Sequence, residues 1–192
     1  MKNENGRYNM NQQHKQTIWQ EPTLSTEHIF KGKVISLQVD TIALKDGSET
    51  TRELVKHPGA AAVIAIQNEK LIVVEQYRKA IGKVQLEIPA GKLDPNEEPA
   101  VAAARELEEE TGYKAVDLTL VHSCYTSPGF ADELLHIYYT DQVVQGLQSL
   151  DEDEDVIVKE ISLEEAEKLV TSGHISDAKT IIAIYEWKLR RK

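Results

Sequence analysis

The chain has 192 residues and a formal net charge of −10, which fits one globular domain and argues against non-specific binding to nucleic acid or to an anionic membrane. Hydrophobic residues make up 41% of the chain and charged residues 28%, which is enough apolar material for a hydrophobic core. The single cysteine, Cys124, excludes an internal disulfide framework, and no apolar run is long enough to cross a bilayer, so we expect a cytoplasmic protein.

The first part of the chain is predicted to contain a tail and a few strands. Residues 1–16 are rich in Asn and Gln, show no periodicity and lack the apolar core of a signal peptide, so we expect a flexible tail. Residues 29–44 and 50–56 are β-like, and Asp46-Gly47 between them is a strong hairpin signal. A small N-terminal antiparallel sheet is therefore expected over residues 17–57.

Residues 58–192 are expected to form the main domain. Turn residues separate the strand-like runs, and glycines or prolines mark the ends of the helical ones. Strands are predicted over 60–66, 70–78, 83–89, 115–125, 133–140 and 156–161, helices over 97–111, 162–172 and 176–190, and an acidic loop over 141–155. Strands interleaved with three helices predict an α/β domain with a mixed sheet and helices on both faces.

The first predicted helix carries four closely spaced glutamates. At 100° per residue Glu106, Glu109 and Glu110 share one face, whereas Glu108 points to the other side. These like charges repel, and the neighbouring Arg105 is expected to neutralise only one of them. A divalent cation would remove the repulsion, and clusters of oxygen ligands suit Mg²⁺ or Mn²⁺. Taken alone, the run is more typical of a solvated charged face. The opposite stripe, expected to pack on the sheet, consists of Ala100, Ala104 and Leu107.

The sequence around this helix favours the metal-binding interpretation. From Gly91 the chain reads GKLDPNEEPAVAAARELEEETGY. This segment resembles the Nudix box, the loop–helix–loop signature of hydrolases that act on nucleoside diphosphates linked to another moiety. All fixed positions of the box match, and the one departure is Tyr113 at the last position, where an aliphatic residue is usual. A match of this extent is far more specific than a lone glycine-rich motif.

The resemblance implies a fold, a cofactor and a set of roles. The fold would be the Nudix fold, an α/β/α sandwich with a mixed sheet, and the cofactor would be Mg²⁺, with Mn²⁺ as an alternative. Glu109 would be either a further metal ligand or a catalytic carboxylate that orients water. The other implied metal ligands are Glu106, Glu110 and the carbonyl of Ala90. The implied structural positions of the motif are Gly91, Glu97, Arg105 and Gly112, with an ion pair between Glu97 and Arg105 that pins the loop to the helix.

Three further segments resemble the ADP-ribose pyrophosphatase branch of the family. They are HPGAAAV at 57–63, EQYRK at 75–79 and YTSPGFADE at 125–133. The branch implies hydrolysis of ADP-ribose to AMP and ribose 5-phosphate. The implied substrate-binding residues are Arg52, Arg78, Ser127 and Glu133. Each also has an ordinary interpretation, as a surface arginine, a turn cap or the solvated end of a strand.

The acidic loop contributes two further candidates. By alignment with functional glutamates of the same branch, Glu152 would be the base that activates water and Glu154 would help to hold a metal ion. Aspartates at 151, 153 and 155 lie beside them. A purely solubilising acidic loop is the alternative interpretation.

The resemblance also bears on partners and on rival functions. Relatives of this branch are homodimers in which the N-terminal sheet packs across the partner and completes its substrate site, and no nucleic-acid or membrane partner is implied. The rival functions are a Nudix hydrolase of a nucleotide-sugar or dinucleoside compound, and a non-catalytic sensor of ADP-ribose, against which the intact box argues. His57, His122 and His136 show no zinc-ligand spacing and are expected to be structural.

Overall fold

A computed structural model describes residues 19–150 and 154–191; the predicted tail at 1–16 lies outside the described residues. The strands are β1 (Thr23–Lys31), β2 (Ser36–Ala43), β3 (Glu49–Lys56), β4 (Ala60–Gln67), β5 (Lys70–Arg78), β6 (Lys83–Glu87), β7 (Ala90–Lys92), β8 (Tyr113–Ala115), β9 (Thr119–Tyr125), β10 (Leu134–Thr140), β11 (Val143–Gln145) and β12 (Val156–Ile161). The helices are α1 (Pro99–Thr111), α2 (Leu163–Thr171) and α3 (Ala178–Arg190). In the described part of the chain, no helix is long and apolar enough to cross a membrane.

A seven-stranded mixed sheet forms the centre of the molecule. Its strand order is β12-β5-β4-β10-β9, with β6 paired to β5 and β7 paired to β4. Strands β4 and β10 run parallel, whereas the other pairs of this sheet are antiparallel. The predicted mixed sheet is therefore confirmed.

Helices cover both faces of this sheet. The buried strand β4 is a continuous apolar run, as expected for a strand covered on both sides. Its alternate residues enter different layers: Val63 packs in a cluster with Leu107 of α1, and Ile64 packs in a cluster with Trp187 of α3. This arrangement is the predicted α/β/α sandwich.

The first three strands form a separate antiparallel sheet, in the order β1-β2-β3. The turn predicted at Asp46-Gly47 is present, with Gly47 at a φ of 86°. The sheet joins the main domain at Val55, whose N–H donates to the Phe130 carbonyl over 2.8 Å and whose carbonyl accepts from the Asp132 N–H at 3.2 Å. Every residue of β1 is exposed, so the described residues 19–150 and 154–191 leave this edge strand without cover.

The structure adds detail to two predicted segments. Residues 29–44 are β-like as predicted but are divided between two strands, because the chain turns between β1 and β2, where the Gly32 N–H donates to the Ile35 carbonyl over 2.9 Å. The apolar residues on both sides of this turn gave it the pattern of a continuous strand. The predicted acidic loop also contains a short strand, since β11 pairs with β8.

The predicted packing face of α1 was partly wrong. Leu107 is buried as expected, but its companions are Ala102 and Ala103, whereas Ala100 is exposed and Ala104 half-buried. The prediction placed the glutamate face away from the sheet. The helix is instead turned so that part of this acidic face is also buried.

Candidate active site

Helix α1 is bracketed by residues that suit its two ends. Pro99 occupies the first turn, where its missing N–H needs no partner. Gly112 ends the helix in the left-handed region at φ 73°, and its N–H donates to the Glu108 carbonyl over 2.8 Å. The box thus fixes both ends of the segment that carries the glutamates.

Two of these glutamates are buried against strand β7. Only 8% of Glu106 and 3% of Glu110 is exposed. Oε2 of Glu110 accepts the Ala90 N–H over 3.0 Å. A Cβ atom at Gly91 would lie 2.0 Å from Oε1 of Glu106, so a side chain at this position would displace that carboxylate. The glycine before the helix is therefore required by the close approach of β7 and α1.

Arg105 contacts more carboxylates than predicted. Its Nε lies 2.9 Å from Glu97, which is the expected ion pair. Its Nη1 also donates to Oε1 of Glu106 over 2.8 Å and to Oε2 of Glu109 over 2.9 Å. The expectation that it would neutralise only one neighbour was wrong, because a guanidinium has five donors in a planar fork. Nη1 of Arg105 thus bridges the carboxylates of Glu106 and Glu109, which shows that these two side chains can contact one positive charge together.

Burial raises the pKa of both inward-facing glutamates. The pKa of Glu106 is raised mainly by loss of solvent, against the opposing effect of Arg105. For Glu110, burial, together with the charges of Glu106 and Glu154, raises the pKa to about 8. Glu154 of the acidic loop is therefore close enough to act on both carboxyls. Glu108 lies on the other side of the helix, with its Oε1 3.1 Å from Nζ of Lys114.

These residues fit a hard divalent cation. In residues 19–150 and 154–191 no three His, Cys, Asp or Glu side chains form a ready-made metal cluster. The donors are nevertheless all oxygens. The carboxyls of Glu106 and Glu110 are buried, which disfavours their charged form. The guanidinium of Arg105 already bridges the carboxylates of Glu106 and Glu109. A divalent ion such as Mg²⁺ or Mn²⁺ suits this donor set. The residues that would hold it are Glu106, Glu109, Glu110 and the carbonyl of Ala90. Glu152 lies outside the described residues.

A cavity of about 510 Å³ opens beside the box, which is the size expected of a small-molecule site. Gly91 of the box and the preceding Ala90 line it, and so do Arg78, Ser127 and Glu133. Three of the four predicted substrate-binding residues, from distant parts of the sequence, therefore meet in one pocket with the box.

The fourth, Arg52, lies elsewhere. It is on β3, in the N-terminal sheet, where its Nη2 lies 2.6 Å from Oε1 of Glu21. Its side chain is 40% exposed, and it does not line the cavity of its own chain. Within one chain, the structure does not bring Arg52 to the other candidates.

The pocket also contains residues that sequence reasoning missed. His57, expected to be structural, lines the cavity with its Nε2 3.8 Å from Oε1 of Glu133. Its Nδ1 accepts the Gly59 N–H over 3.1 Å. Asp177 and Lys179 at the start of α3 also line the cavity. His57 lies in the quoted HPGAAAV segment, whereas no local pattern marks the two residues of α3.

The chain is similar to characterised proteins over most of its length. It is 50% identical over 174 residues to the ADP-ribose pyrophosphatase of Bacillus subtilis (strain 168), a match that covers 89% of this chain and 94% of the relative. It is 48% identical over 180 residues to the methanol dehydrogenase activator of Bacillus methanolicus, with 90% and 95% coverage. A crystal structure described as an ADP compounds hydrolase has the same fold, with a TM-score of 0.80 and 20% identity over 91% of this chain and 97% of that one.

A family model confirms the resemblance carried by the box. The model described as the NUDIX domain matches residues 56–183, a segment that contains β7, α1, the pocket and the start of α3. The buried glutamates and the glycine that fits against them lie within this match. The chain therefore belongs to the Nudix family and is a hydrolase.

Proposed function

We propose that this Nudix hydrolase cleaves the diphosphate of ADP-ribose to AMP and ribose 5-phosphate, with Mg²⁺ or Mn²⁺ as its cofactor. The observation that carries the proposal is the cavity in which Arg78 and Glu133 meet β7, the strand against which Glu106 and Glu110 are buried. Its volume and its mixture of cationic, acidic and apolar lining suit a nucleoside diphosphate linked to a sugar. The 50% identity to an ADP-ribose pyrophosphatase supports the same substrate.

The residues of the chain divide the work by charge. When bound at the box, divalent ions supply Lewis-acid chemistry to the diphosphate and offset the charge of the surrounding carboxylates. Arg78 presents a permanently charged guanidinium to phosphate or ribose oxygens. Glu133, which accepts a hydrogen bond from Oγ1 of Thr126 over 2.5 Å, would accept from a ribose hydroxyl. Its place in the cavity lining, together with Ser127, supports this role.

A carboxylate must also take a proton from the attacking water. The candidates are Glu109, whose Oε2 is held by Arg105, and Glu152 of the acidic loop. Glu154, two residues further on, acts electrostatically on Glu106 and Glu110, which supports a role for this loop at the site. We propose Glu152 as the base and Glu154 as an additional metal ligand, and a Glu152→Gln variant that keeps full kcat would contradict the first assignment.

The experiment that tests this function is a substrate panel. ADP-ribose, a nucleotide-sugar and a dinucleoside diphosphate are each incubated with the protein and Mg²⁺ or Mn²⁺, and the products are separated. The expected result is release of AMP from ADP-ribose with the highest kcat/KM. Preference for another compound would identify a different Nudix substrate, and tight binding of ADP-ribose without AMP release would indicate a sensor.

We further propose that the enzyme acts as a homodimer with Arg52 in the partner's site. The exposed strand β1 carries apolar side chains such as Ile29 and Phe30, which are 50% and 56% exposed. An exposed edge strand with apolar side chains is a natural surface for a second copy. Arg52 lies in this sheet and does not line the cavity of its own chain, which supports a role for it in the partner's site.

Mixing two inactive variants tests this arrangement. Arg52→Ala removes the arginine that a subunit would supply to its partner's site. Glu110→Gln removes a carboxylate from a subunit's own box. If Arg52 acts across the interface, a mixed dimer has one site with both residues intact, so subunit exchange should restore about a quarter of wild-type activity in a statistical mixture. Failure to restore activity after proven exchange, or a monomer in light scattering, would contradict the proposal.

A second candidate function rests on the similarity to the methanol dehydrogenase activator, which matches this chain almost as closely. We propose that the chain also stimulates such a dehydrogenase. The test measures the rate of methanol dehydrogenase with and without the chain. Stimulation by the wild type but not by Glu110→Gln would link it to hydrolysis, and no stimulation would remove this candidate.

A further inference from the structure

A buried ion cluster forms the wall of the pocket at β5, β6 and α3. At its centre is Glu87, the last residue of β6, which is 3% exposed. Arg78 approaches Glu87 along one edge, with Nε and Nη2 donating to its two oxygens over 2.7 and 2.8 Å. Lys179 donates to Oε2 of the same carboxylate. A single buried carboxylate thus holds two cations, both of which line the cavity.

Lys179 is more enclosed than an ordinary surface lysine. Its side chain is 14% exposed, whereas that of Arg78 is 40% exposed. Besides Glu87 it contacts Oδ2 of Asp177 at 3.2 Å. That same oxygen also accepts the N–H and the hydroxyl of Thr180, over 3.0 and 2.6 Å, at the start of α3. An ammonium has three donors, which is one more than these two contacts use, and Lys179 lines the cavity.

The start of α3 is fixed to β6 on both sides of this cluster. The Ile88 N–H donates to Oγ1 of Thr180 over 2.9 Å. Nε2 of the buried Gln85 donates to Oγ of Ser176 over 3.0 Å. These bonds hold residues 176–180 against the sheet, so the ammonium of Lys179 is positioned before any ligand arrives.

We propose that Lys179 is a second cationic contact for the phosphate oxygens of the substrate and that Glu87 is the positioning residue that holds it beside Arg78. This inference rests on the proposed function, because it assumes a phosphate-bearing ligand in the cavity. Two cations anchored to one carboxylate present their outer donors to the pocket at a fixed separation. Such a pair suits two oxygens of a diphosphate better than a single mobile arginine would.

The charges of the cluster agree with this arrangement. Burial alone would raise the pKa of Glu87, but hydrogen bonds and charge from Arg78 and Lys179 outweigh it and lower the pKa to about 2. Glu87 therefore remains ionised throughout the working range of an enzyme. The alternative is that Lys179 serves only to neutralise Glu87, a role that Arg78 already fills.

The test compares Lys179→Met with Lys83→Met. Lys83 donates to Ser176 over 3.0 Å and so touches the same loop, but it does not line the cavity. For Lys179→Met we expect KM for ADP-ribose to rise about tenfold and kcat to stay nearly unchanged. A tenfold change is the effect expected from the loss of one hydrogen bond to a charged group. Lys179→Arg should recover most of the affinity, and Lys83→Met should match the wild type.

Binding without turnover separates this proposal from the proposed function. Calorimetry is run with an ADP-ribose analogue in which a methylene group replaces the bridging oxygen, and with inorganic pyrophosphate. If the wild type releases no AMP but Lys179→Met still weakens binding of either probe about tenfold, the contact stands although the assigned activity fails. Unchanged affinity of Lys179→Met for both probes, with or without a lower melting temperature, would overturn the proposed contact. Failure of the wild type to bind either probe would overturn it as well. Should Lys179→Met not fold, Lys179→Gln, which keeps a donor toward Glu87, is judged by the same criteria.

Discussion

Glu87 and Glu110 are buried to the same degree, each with 3% of its surface exposed, yet they meet opposite surroundings. Glu87 accepts from Arg78 and Lys179, and its pKa falls to about 2. For Glu110, burial and the charges of Glu106 and Glu154 outweigh one hydrogen bond from a backbone N–H and raise the pKa to about 8. Burial raises the pKa of both carboxyls, and the neighbouring groups decide whether that rise is reversed.

Because their surroundings differ, Glu87 and Glu110 are suited to different roles. At Glu87 the protein supplies its own cations, so the carboxylate is structural and organises the groups around it. At Glu110 the protein supplies too little positive charge, and an external divalent ion would complete the site. Three variants and one pH dependence test this contrast between Glu87 and Glu110, and their expected effects range from about a thousandfold to about tenfold.

Glu110→Gln should reduce kcat about a thousandfold, since it removes a ligand from the proposed metal site. The fold should survive, because the substitution replaces a carboxyl whose charged form is disfavoured. AMP release at saturating Mg²⁺ measures the effect. Glu108→Gln is the matched control on the other side of α1, and it should keep near-normal activity. Equal losses in the two variants would contradict the division of the helix into two faces.

Gly91→Ala should lower kcat/KM about a hundredfold, because its Cβ would lie 2.0 Å from Oε1 of Glu106 and displace that carboxylate. Metal affinity measured by calorimetry should fall with it. Gly129→Ala is the control, since a Cβ there would meet nothing within 4 Å. A fully active Gly91→Ala would mean that the position of Glu106 is not needed for catalysis.

Glu87→Gln should destabilise the protein by about 2–3 kcal/mol at pH 7, because it leaves two cations without their shared carboxylate. The pKa of Glu87 is lowered on folding, so this stabilisation is complete above the unfolded value near 4.5 and is lost as the pH falls through about 2. Urea unfolding at pH 7 and at pH 3 should therefore show a smaller difference from wild type at the lower pH.

The control for that variant is Glu164→Gln in α2, which breaks an exposed pair with Lys168. Surface ion pairs of this kind contribute little, so the free energy of unfolding should not change measurably. A stability loss in Glu87→Gln no larger than in this control would contradict the structural role of Glu87 and remove the distinction between Glu87 and Glu110.

Metal affinity should rise with pH by up to about tenfold per unit and level off near pH 8, because the cation competes with a proton on Glu110. The same raised pKa means that the contribution of Glu110 to the stability of the metal-free protein is present below pH 4.5 and is lost as the pH rises through about 8. Calorimetry at pH 7 in two buffers of different ionisation enthalpy should detect about one proton released per site.

Glu87→Gln is the matched control for this proton release. Because Glu87 is already ionised at pH 7, its replacement should leave the number of released protons unchanged. Metal binding with no proton release at pH 7 in the wild type would show that Glu110 is charged before the ion arrives, and the contrast between the two glutamates would then fail.

The local patterns predicted much of the fold and part of the candidate site. The positions of α1, its terminal Gly112 and the Asp46-Gly47 turn follow from backbone preferences that act over a few residues. The sequence pattern did not mark the turn between β1 and β2, where apolar residues on both sides imitate one strand. It also misplaced the buried face of α1, because periodicity treats charged residues as exposed and cannot anticipate buried carboxyls.

The family and the group of acidic residues that could hold a divalent ion follow from the sequence alone, because the spacing of glycine, arginine and glutamates in the box brings these residues together along one helix. The burial of Glu106 and Glu110, the bridge that Arg105 makes between Glu106 and Glu109, and the meeting of His57, Lys179 and Arg78 in the pocket depend on tertiary packing. Glu87 and Lys179 lie 92 positions apart in the chain. Contacts of this kind depend on how helices pack on the sheet, and no local spacing encodes them.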